Sequence, residues 1–174
     1  MECALTQDLN LDCRDSYGGL KTVYLIEHEH IVDNITSAAG VITEIDKPTG
    51  KVFRKYNLIA HTGESDESVA SSRENGSTEV TQTVKFPINK MNVSVRNELL
   101  LLGKNRLAIV IVDENGTGWL YGEEYGLMLN AIAAKTGVQL ADRNGYELTF
   151  DGKEKTLAKQ VDAATLNTLQ TAGV

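Results

Sequence analysis

The clearest alternation of apolar and polar residues lies at 78–88, TEVTQTVKFPI. Apolar residues from Val80 to Ile88 fall on one side of this segment, interrupted by Gln82, so it predicts a strand with one buried face. Residues 107–112, LAIVIV, are apolar throughout and rich in β-branched side chains. Such a run predicts a strand that is covered on both faces and lies at the centre of the core.

Turn signals divide the chain before residue 61 into further strands. Residues 21–32, KTVYLIEHEHIV, combine β-branched and aromatic residues with partial alternation and predict the first strand. Residues 41–46 and 51–60 flank KPTG at 47–50, where the proline presets φ and the glycine accepts positive φ. This arrangement predicts a hairpin.

Two Asn-Gly sequences follow, DENG at 113–116 and DRNG at 142–145. Both predict tight hairpin turns, because Asn and Gly tolerate left-handed backbone geometry. Between them, residues 127–134 are bracketed by Gly126 and Gly137 and are predicted to form a strand.

Helical spacing occurs in two places. In the predicted helix 91–103, Leu99 and Leu102 follow Val95 at intervals that keep them on one face, and a glycine ends the segment. A short terminal helix is predicted to begin at Asp162, an N-cap residue type. Together the elements predict a mainly β fold (α+β minor), a β-sandwich or barrel with one flanking helix and a long polar loop.

The polar loop is the segment 61–77, HTGESDESVASSRENGS, which loses nearly all apolar residues and carries four acidic ones. Such a segment is expected to be mobile, because it buries too little surface to fold on its own. Long loops of this kind in compact domains usually act as lids, binding loops or assembly arms. The predicted subunit-contact residues of this assembly loop are Glu64, Asp66, Glu67, Val69, Arg73 and Glu74.

Composition narrows the possible functions. A length of 174 residues suits a single β-rich domain at 21–174, preceded by an N-terminal arm at 1–20. The net charge of −7 argues against a broad grip on nucleic acid or an anionic membrane, since both need clustered Lys and Arg. No membrane partner is expected, and Cys3 and Cys13 form no disulfide framework.

Catalytic chemistry is not predicted. His28 and His30 stand two apart in the predicted first strand and would share a face, but with only His61 as a third histidine they do not make a metal site. Nucleophile-elbow, P-loop, dinucleotide and zinc-protease motifs are absent from the sequence. Adjacent acids such as Glu123 and Glu124 are typical of a solvated surface. We therefore expect no enzyme activity, no catalytic or metal residues and no cofactor.

Trp119 and Tyr121 alternate in the strand that follows the first Asn-Gly turn. Packing in the core or on a sheet face is the expected role of such aromatics. Contact between subunits is the alternative.

The order of elements from residue 41 onward resembles that of the tail-tube, or major tail, proteins of tailed bacteriophages. The segments CALTQDLNLDCRDSYGGLKTVYLIE, DENGTGWLYGEEYGL and GVQLADRNGYELTF are also similar to phage virion proteins. The resemblance spans residues 20–160. It implies a β-sandwich or barrel with a flanking helix that forms hexameric rings, with a long loop reaching from one ring to the next.

The same resemblance implies a virion protein assembled in the host cytoplasm. Its partners would be copies of itself, other virion proteins, and phage DNA that passes through an acidic lumen without specific binding. A head–tail connector or a capsid decoration protein is the alternative within this class. An alternative of another class is a monomeric ligand-binding β-barrel, with 61–77 as its lid and Trp119 lining its pocket.

Overall fold

The computed structural model describes residues 8–9, 14–31 and 34–172, and within them it contains eleven strands, two α-helices and one short 3-10 helix. Cys3 and Cys13 lie outside the described residues. The mainly β fold with one flanking helix is confirmed. The strands are β1 (Leu20–Glu27), β2 (Ile35–Ala38), β3 (Val41–Ile45), β4 (Arg54–Asn57), β5 (Glu64–Ser72), β6 (Ser77–Asn89), β7 (Leu107–Asp113), β8 (Gly118–Tyr121), β9 (Met128–Lys135), β10 (Gly145–Glu154) and β11 (Lys159–Val161). The helices are α1 (Val93–Leu102) and α2 (Ala163–Thr168).

The strands form two sheets. The larger has seven strands in the order β2-β3-β11-β8-β7-β1-β4, in which only the β11–β3 pair is parallel. The smaller has four strands in the order β5-β6-β10-β9 and is antiparallel throughout. The strands predicted at 78–88, 107–112 and 127–134 are confirmed as β6, β7 and β9.

The core has two layers, one on each face of the seven-stranded sheet. Side chains of β7 divide between them by alternation: Ile109 and Ile111 point into the layer shared with the four-stranded sheet, while Ala108 and Val110 point into the other. Strand β7 is therefore covered on both faces, as its apolar sequence predicted.

Helix α1 packs on the layer between the sheets. The side-chain oxygen of its N-cap residue Asn92 accepts a hydrogen bond from the backbone N–H of Val95 at 2.7 Å. Leu99 and Leu102 are buried in the core, and the helix ends at Gly103. The predicted helix 91–103 is thus confirmed, with a slightly later start. Helix α2 follows Asp162 as predicted, although that side chain makes no capping hydrogen bond.

The predicted hairpin of 41–46 with 51–60 is wrong. The turn forms locally, with the N–H of Lys51 donating to the carbonyl of Pro48. However, β3 pairs with β2 and β11, whereas β4 pairs with β1 at the far edge of the sheet. Phe53, fully buried on the second face of the sheet, explains the separation, because the chain crosses that face between the two strands.

Two further boundaries differ from the sequence predictions. The first strand ends at Glu27, and residues 28–30 form a 3-10 helix. The turn 113–116 closes a tight hairpin as predicted, with φ of +84° at Gly116. The tight turn predicted at 142–145 is wrong, because Gly145 already begins β10. A Cβ at this glycine would collide with the carbonyl oxygen of Ile88, so the close approach of β6 explains the residue.

Candidate assembly surface

The polar segment 61–77 is not a mobile loop, so that prediction is wrong. Nine of its residues form β5, which pairs with β6 from Glu64 opposite Lys85 to Ser72 opposite Ser77. An edge strand obtains its order from backbone pairing with one neighbour and needs few apolar side chains. Polar composition alone therefore gave the wrong result here.

The far end of this hairpin projects beyond the sheet. Strand β10 stops pairing with β6 at the Glu154–Val80 pair, so residues 70–79, here called the arm, form a ribbon of two strands alone. The predicted contact residues Arg73 and Glu74 lie at its exposed tip, and Val69 is 54% exposed at its base. Their contact with another subunit stays a prediction.

The predicted contact residue Glu67 is tied into its own chain. Its Oε1 accepts hydrogen bonds from Nε2 of Gln82 at 2.8 Å and from the N–H of Ala158 at 2.7 Å. The other end of the buried Gln82 amide accepts from the N–H of Gly122 at 2.9 Å. This network explains why a polar residue interrupts the buried face of β6. Glu64 and Asp66 remain on the opposite, exposed face of β5.

A buried carboxylate, Glu154, holds the loop between β8 and β9. Its two oxygens accept hydrogen bonds from three successive backbone N–H groups, those of Glu124, Tyr125 and Gly126, at 3.0–3.1 Å. Outside the loop, Lys155 contacts the Glu124 carboxylate at 2.8 Å and lowers its pKa. Sequence reasoning missed Glu154, because nothing in YELTFDGKE marks its last residue as buried.

Throughout the described ranges, every buried side-chain nitrogen and oxygen has a hydrogen-bond partner. His28 is buried with its Nε2 3.0 Å from the carbonyl oxygen of Glu123, whereas His30 lies near the carboxylates of Glu27 and Glu29. The shared strand face predicted for the two histidines is wrong, because they lie in the 3-10 helix. The described residues contain no group of three metal-binding side chains.

The two aromatic candidates on β8 differ in exposure. Tyr121 is 6% exposed in the core between the sheets; burial raises the pKa of its hydroxyl, and a hydrogen bond with Ser65 opposes that rise. Core packing, the role expected of this residue, therefore accounts for its position within one chain, and its contact with another subunit stays a prediction. Trp119 is partly buried against the same core. Its contact with another subunit stays a prediction.

Strand β9 is a free edge with an apolar surface. Within the part of the chain that the structure describes, it pairs with β10 alone, and seven of its eight residues are exposed. Among them Met128 is 55% and Ile132 44% exposed, and Ala131, Ala133 and Ala134 are exposed as well. Soluble proteins normally protect such edges with charge, proline or a covering element, because free strands pair with other chains. Lys135, at the end of β9, is its one charged residue.

The exposed face of the four-stranded sheet carries paired lysines. Its four strands contain seven acidic residues and three lysines. Each lysine contacts a carboxylate: Lys85 that of Glu64 at 2.8 Å, Lys153 that of Glu79 at 2.8 Å, and Lys135 that of Glu147. The face is therefore polar and mildly acidic, with its positive charges neutralised.

The described part of the chain includes no helix that is long and apolar enough to span a membrane.

Three features lie together at the four-stranded sheet: two free edges, an exposed face with neutralised lysines, and a projecting arm. No protein-family model, curated protein or solved structure matches this chain at a significant level.

Proposed function

We propose that this chain is a phage virion structural protein, a tail-tube subunit that stacks as oligomeric rings around a DNA conduit. The observation that carries the proposal is the four-stranded sheet, whose two edge strands each have an outer side without a strand partner among the described residues. Strands β5, β6, β10 and β9 alternate in direction, so the two edge strands run in opposite senses. Strand β9 of one copy therefore pairs antiparallel with β5 of the next, and repetition closes a ring without free edges.

The charges of the two edges do not oppose this pairing. Strand β5 carries Glu64, Asp66 and Glu67 and no basic residue, whereas the only charge of β9 is Lys135. The backbone groups left unpaired on each edge supply the hydrogen bonds, and the exposed apolar side chains of β9 lose contact with water.

The exposed face of the sheet supports a conduit for DNA. In a closed ring this face lines either the lumen or the outside, and an inward position suits its charges. Lysines held by Glu64, Glu79 and Glu147 offer little attraction to phosphate, and Asp66 and Asp151 add negative charge. A mildly acidic wall repels the DNA backbone, so that DNA moves through without sticking.

The arm suits contact between stacked rings. It extends past the end of β10, along the strand direction, and among the described residues the backbones of its two strands pair only with each other. Arg73 and Glu74 at the tip offer both signs of charge to a neighbouring ring. Copies within one ring thus join through strand edges, and successive rings join through arms.

A charge on the apolar edge tests the lateral contact. Ile132→Glu places an anion beside the acidic strand β5 of the next copy, and it should leave the fold intact because the side chain is already 44% exposed. Leu157→Glu is the matched control, at an apolar position of 53% exposure outside the four-stranded sheet. Negative-stain images should show rings and tubes for the unchanged protein and the control, but monomers for Ile132→Glu. Tubes of normal abundance from Ile132→Glu would refute β9 as the contact.

Shortening the arm tests the axial contact separately. Ala70 and Glu79 are cross-strand partners, so residues 71–78 can be replaced by a two-residue Asn-Gly turn. Strand β5 keeps its pairing along the sheet, so the variant should fold and form rings. Tubes should be absent or short, and tubes of full length would contradict the role of the arm.

A further inference from the structure

Each edge of the four-stranded sheet leaves one large apolar side chain open beside the core. Val69 of β5 is 54% exposed, and Ile132 of β9 is 44% exposed. Their cross-strand partners are the buried residues Val80 and Leu148, and directly opposite residues of an antiparallel pair point to the same face. Val69 and Ile132 therefore lie on the core-facing side of the sheet, at its two opposite edges.

The backbone groups of these two residues point outward from the sheet. The N–H of Lys90 donates to the carbonyl of Asn144, so the even-numbered residues of β6 bond to β10 and the odd-numbered ones bond to β5. Carried through the ladder, this alternation directs the N–H and C=O groups of Val69 away from β6 and those of Ile132 away from β10. The two residues can therefore exchange backbone hydrogen bonds when β5 and β9 of different copies meet.

A charged residue stands three positions from each of these apolar residues. Asp66 precedes Val69 by three and Lys135 follows Ile132 by three, so both charges lie on the exposed face. Because the two strands would run antiparallel, the pairing that sets Val69 opposite Ile132 also sets Asp66 opposite Lys135. Lys135 contacts Glu147 in its own chain, whereas the ion pairs within the described part of the chain do not include Asp66. The pairing thus brings a cation to this carboxylate.

Other registers lose both matches. A shift by one residue turns the two apolar side chains to opposite faces of the sheet. A shift by two in one direction sets Ile132 opposite Glu67, whose carboxylate is bonded within its own chain. A shift by two in the other direction sets Ile132 opposite Ser71 and Lys135 opposite Ser68. One register therefore joins apolar to apolar and acid to base.

This register offsets adjacent copies along the strands. Within one copy, cross-strand pairing puts Glu64 of β5 level with Ala131 of β9. Across the contact, Ala131 faces Ala70 of the next copy, which is six residues beyond Glu64. Six residues extend about 20 Å and four strand spacings about 19 Å, so the strands tilt by about 45° from the ring axis. Strands of closed barrels tilt by about 35–45°, so the offset is of the size that closure requires.

The direction of the offset fits the handedness of sheets. In a strand of L-residues running upward, a residue whose side chain points at the viewer directs its backbone groups to the right. Seen from the core side, an upward β6 therefore has β10 and β9 on its right and a downward β5 on its left. Barrel strands coil right-handed, so with the core side outward the copy on the right is met further down its β5, as Ala70 is. An outward exposed face would need the opposite offset.

We infer that β9 of one copy pairs with β5 of the next in the single register that sets Ile132 against Val69 and Lys135 against Asp66. This register rests on the proposed ring assembly and specifies the offset and the strand tilt within it. It also explains why Val69, at the base of the arm, is left uncovered by its own chain.

Disulfide trapping with four cysteine pairs tests the register. In a background whose two native cysteines are replaced by serine, each protein carries Ser68→Cys or Ala70→Cys on β5 and Ala131→Cys or Ala133→Cys on β9. All four positions are exposed, so the variants should fold. The register sets 68 opposite 133 and 70 opposite 131, whereas the other two combinations are diagonal. Directly opposite residues are within reach of a disulfide, and diagonal ones, about 7–8 Å apart, are beyond it.

Mild oxidation of the assembled proteins should give ladders of multimers on non-reducing gels. The two opposite pairs should cross-link at least about tenfold faster than the two diagonal pairs. Each cysteine occurs in one opposite and one diagonal pair, so differences in thiol reactivity cancel. Faster cross-linking of a diagonal pair, or equal rates for all four, overturns the register and leaves the ring assembly intact. Rings that give no ladder with any pair overturn the edge contact as well, and failure of the unchanged protein to assemble at any concentration overturns the ring itself.

Discussion

Replacing Glu154 by alanine should destabilise the fold more than any exposed substitution in the same sheet. The change removes the acceptor for the N–H groups of Glu124, Tyr125 and Gly126. A buried donor left without a partner costs about 1–3 kcal/mol. Two of the three N–H groups, those of Glu124 and Tyr125, are only partly buried, so the free energy of unfolding should fall by roughly 3 kcal/mol in total. That is a large fraction of the stability of about 5–15 kcal/mol typical of a domain.

Urea unfolding followed by circular dichroism measures this loss. A slope of about 1–3 kcal/mol/M converts roughly 3 kcal/mol into a midpoint shift of about 1–3 M. Glu154→Gln keeps one acceptor oxygen and should lose about 1 kcal/mol. Glu79→Ala removes an exposed carboxylate that pairs with Lys153 and should lose no more than about 1 kcal/mol. If Glu154→Ala and Glu79→Ala unfold at the same midpoint, the carboxylate does not hold the loop as described.

Three further perturbations test other parts of the structure. Burial and the nearby Glu98 carboxylate raise the pKa of Tyr56 to about 12, so its phenol should ionise after the other tyrosines in an ultraviolet titration, and Glu98→Gln should lower that last transition. The backbone N–H groups of Val138 and Gln139 donate to the Asp142 carboxylate and lower its pKa, so the order that these bonds give to residues 136–142 is complete above the ordinary value of 3.8 and is lost as the pH falls through the lowered pKa. NMR shifts of these two amides should therefore move only below the ordinary value, and movement centred at the ordinary value would count against the bonds. Gly122→Ala should cost more than Gly40→Ala in thermal unfolding: both have positive φ, which costs about 1–2 kcal/mol, but only the first Cβ would meet backbone atoms, at 2.9 Å. Equal losses would refute the steric argument.

Strands with a marked pattern could be predicted from the sequence. Alternation in β6 and the unbroken apolar run of β7 reflect burial on one face and on both faces, so pattern and structure agree. The helical spacing of Leu99 and Leu102 likewise reflects a single packed face of α1. In each case, neighbours in the sequence determine most of the environment of the element.

Elements that depend on distant partners were not predictable in the same way. Strand β5 is polar and is ordered by backbone pairing with β6, which composition does not reveal. Separation of β3 from β4 depends on Phe53, whose burial site is formed by remote strands and α2. Glu154 and Gln82 are identifiable as buried only once the loop they bind is in place.

The candidate surface was predicted only in part. An assembly segment near 61–77 was expected on the ground of length and polarity, and the structure places there an edge strand and the arm. The apolar edge of β9 was not singled out, because Met128 and Ile132 are as compatible with a buried strand as with an exposed one. Which face of a strand remains open is decided by the sheet order, a long-range property.

Sedimentation velocity of the unchanged protein over a wide range of concentration tests self-assembly most directly. The account predicts that the 19.0 kDa chain gives way to a discrete ring-sized species, and then to tubes, as concentration rises. Ile132→Glu, which faces the acidic strand β5, should shift that transition to far higher concentration. A single species of 19.0 kDa at every concentration, in low and high salt alike, would contradict the proposed assembly.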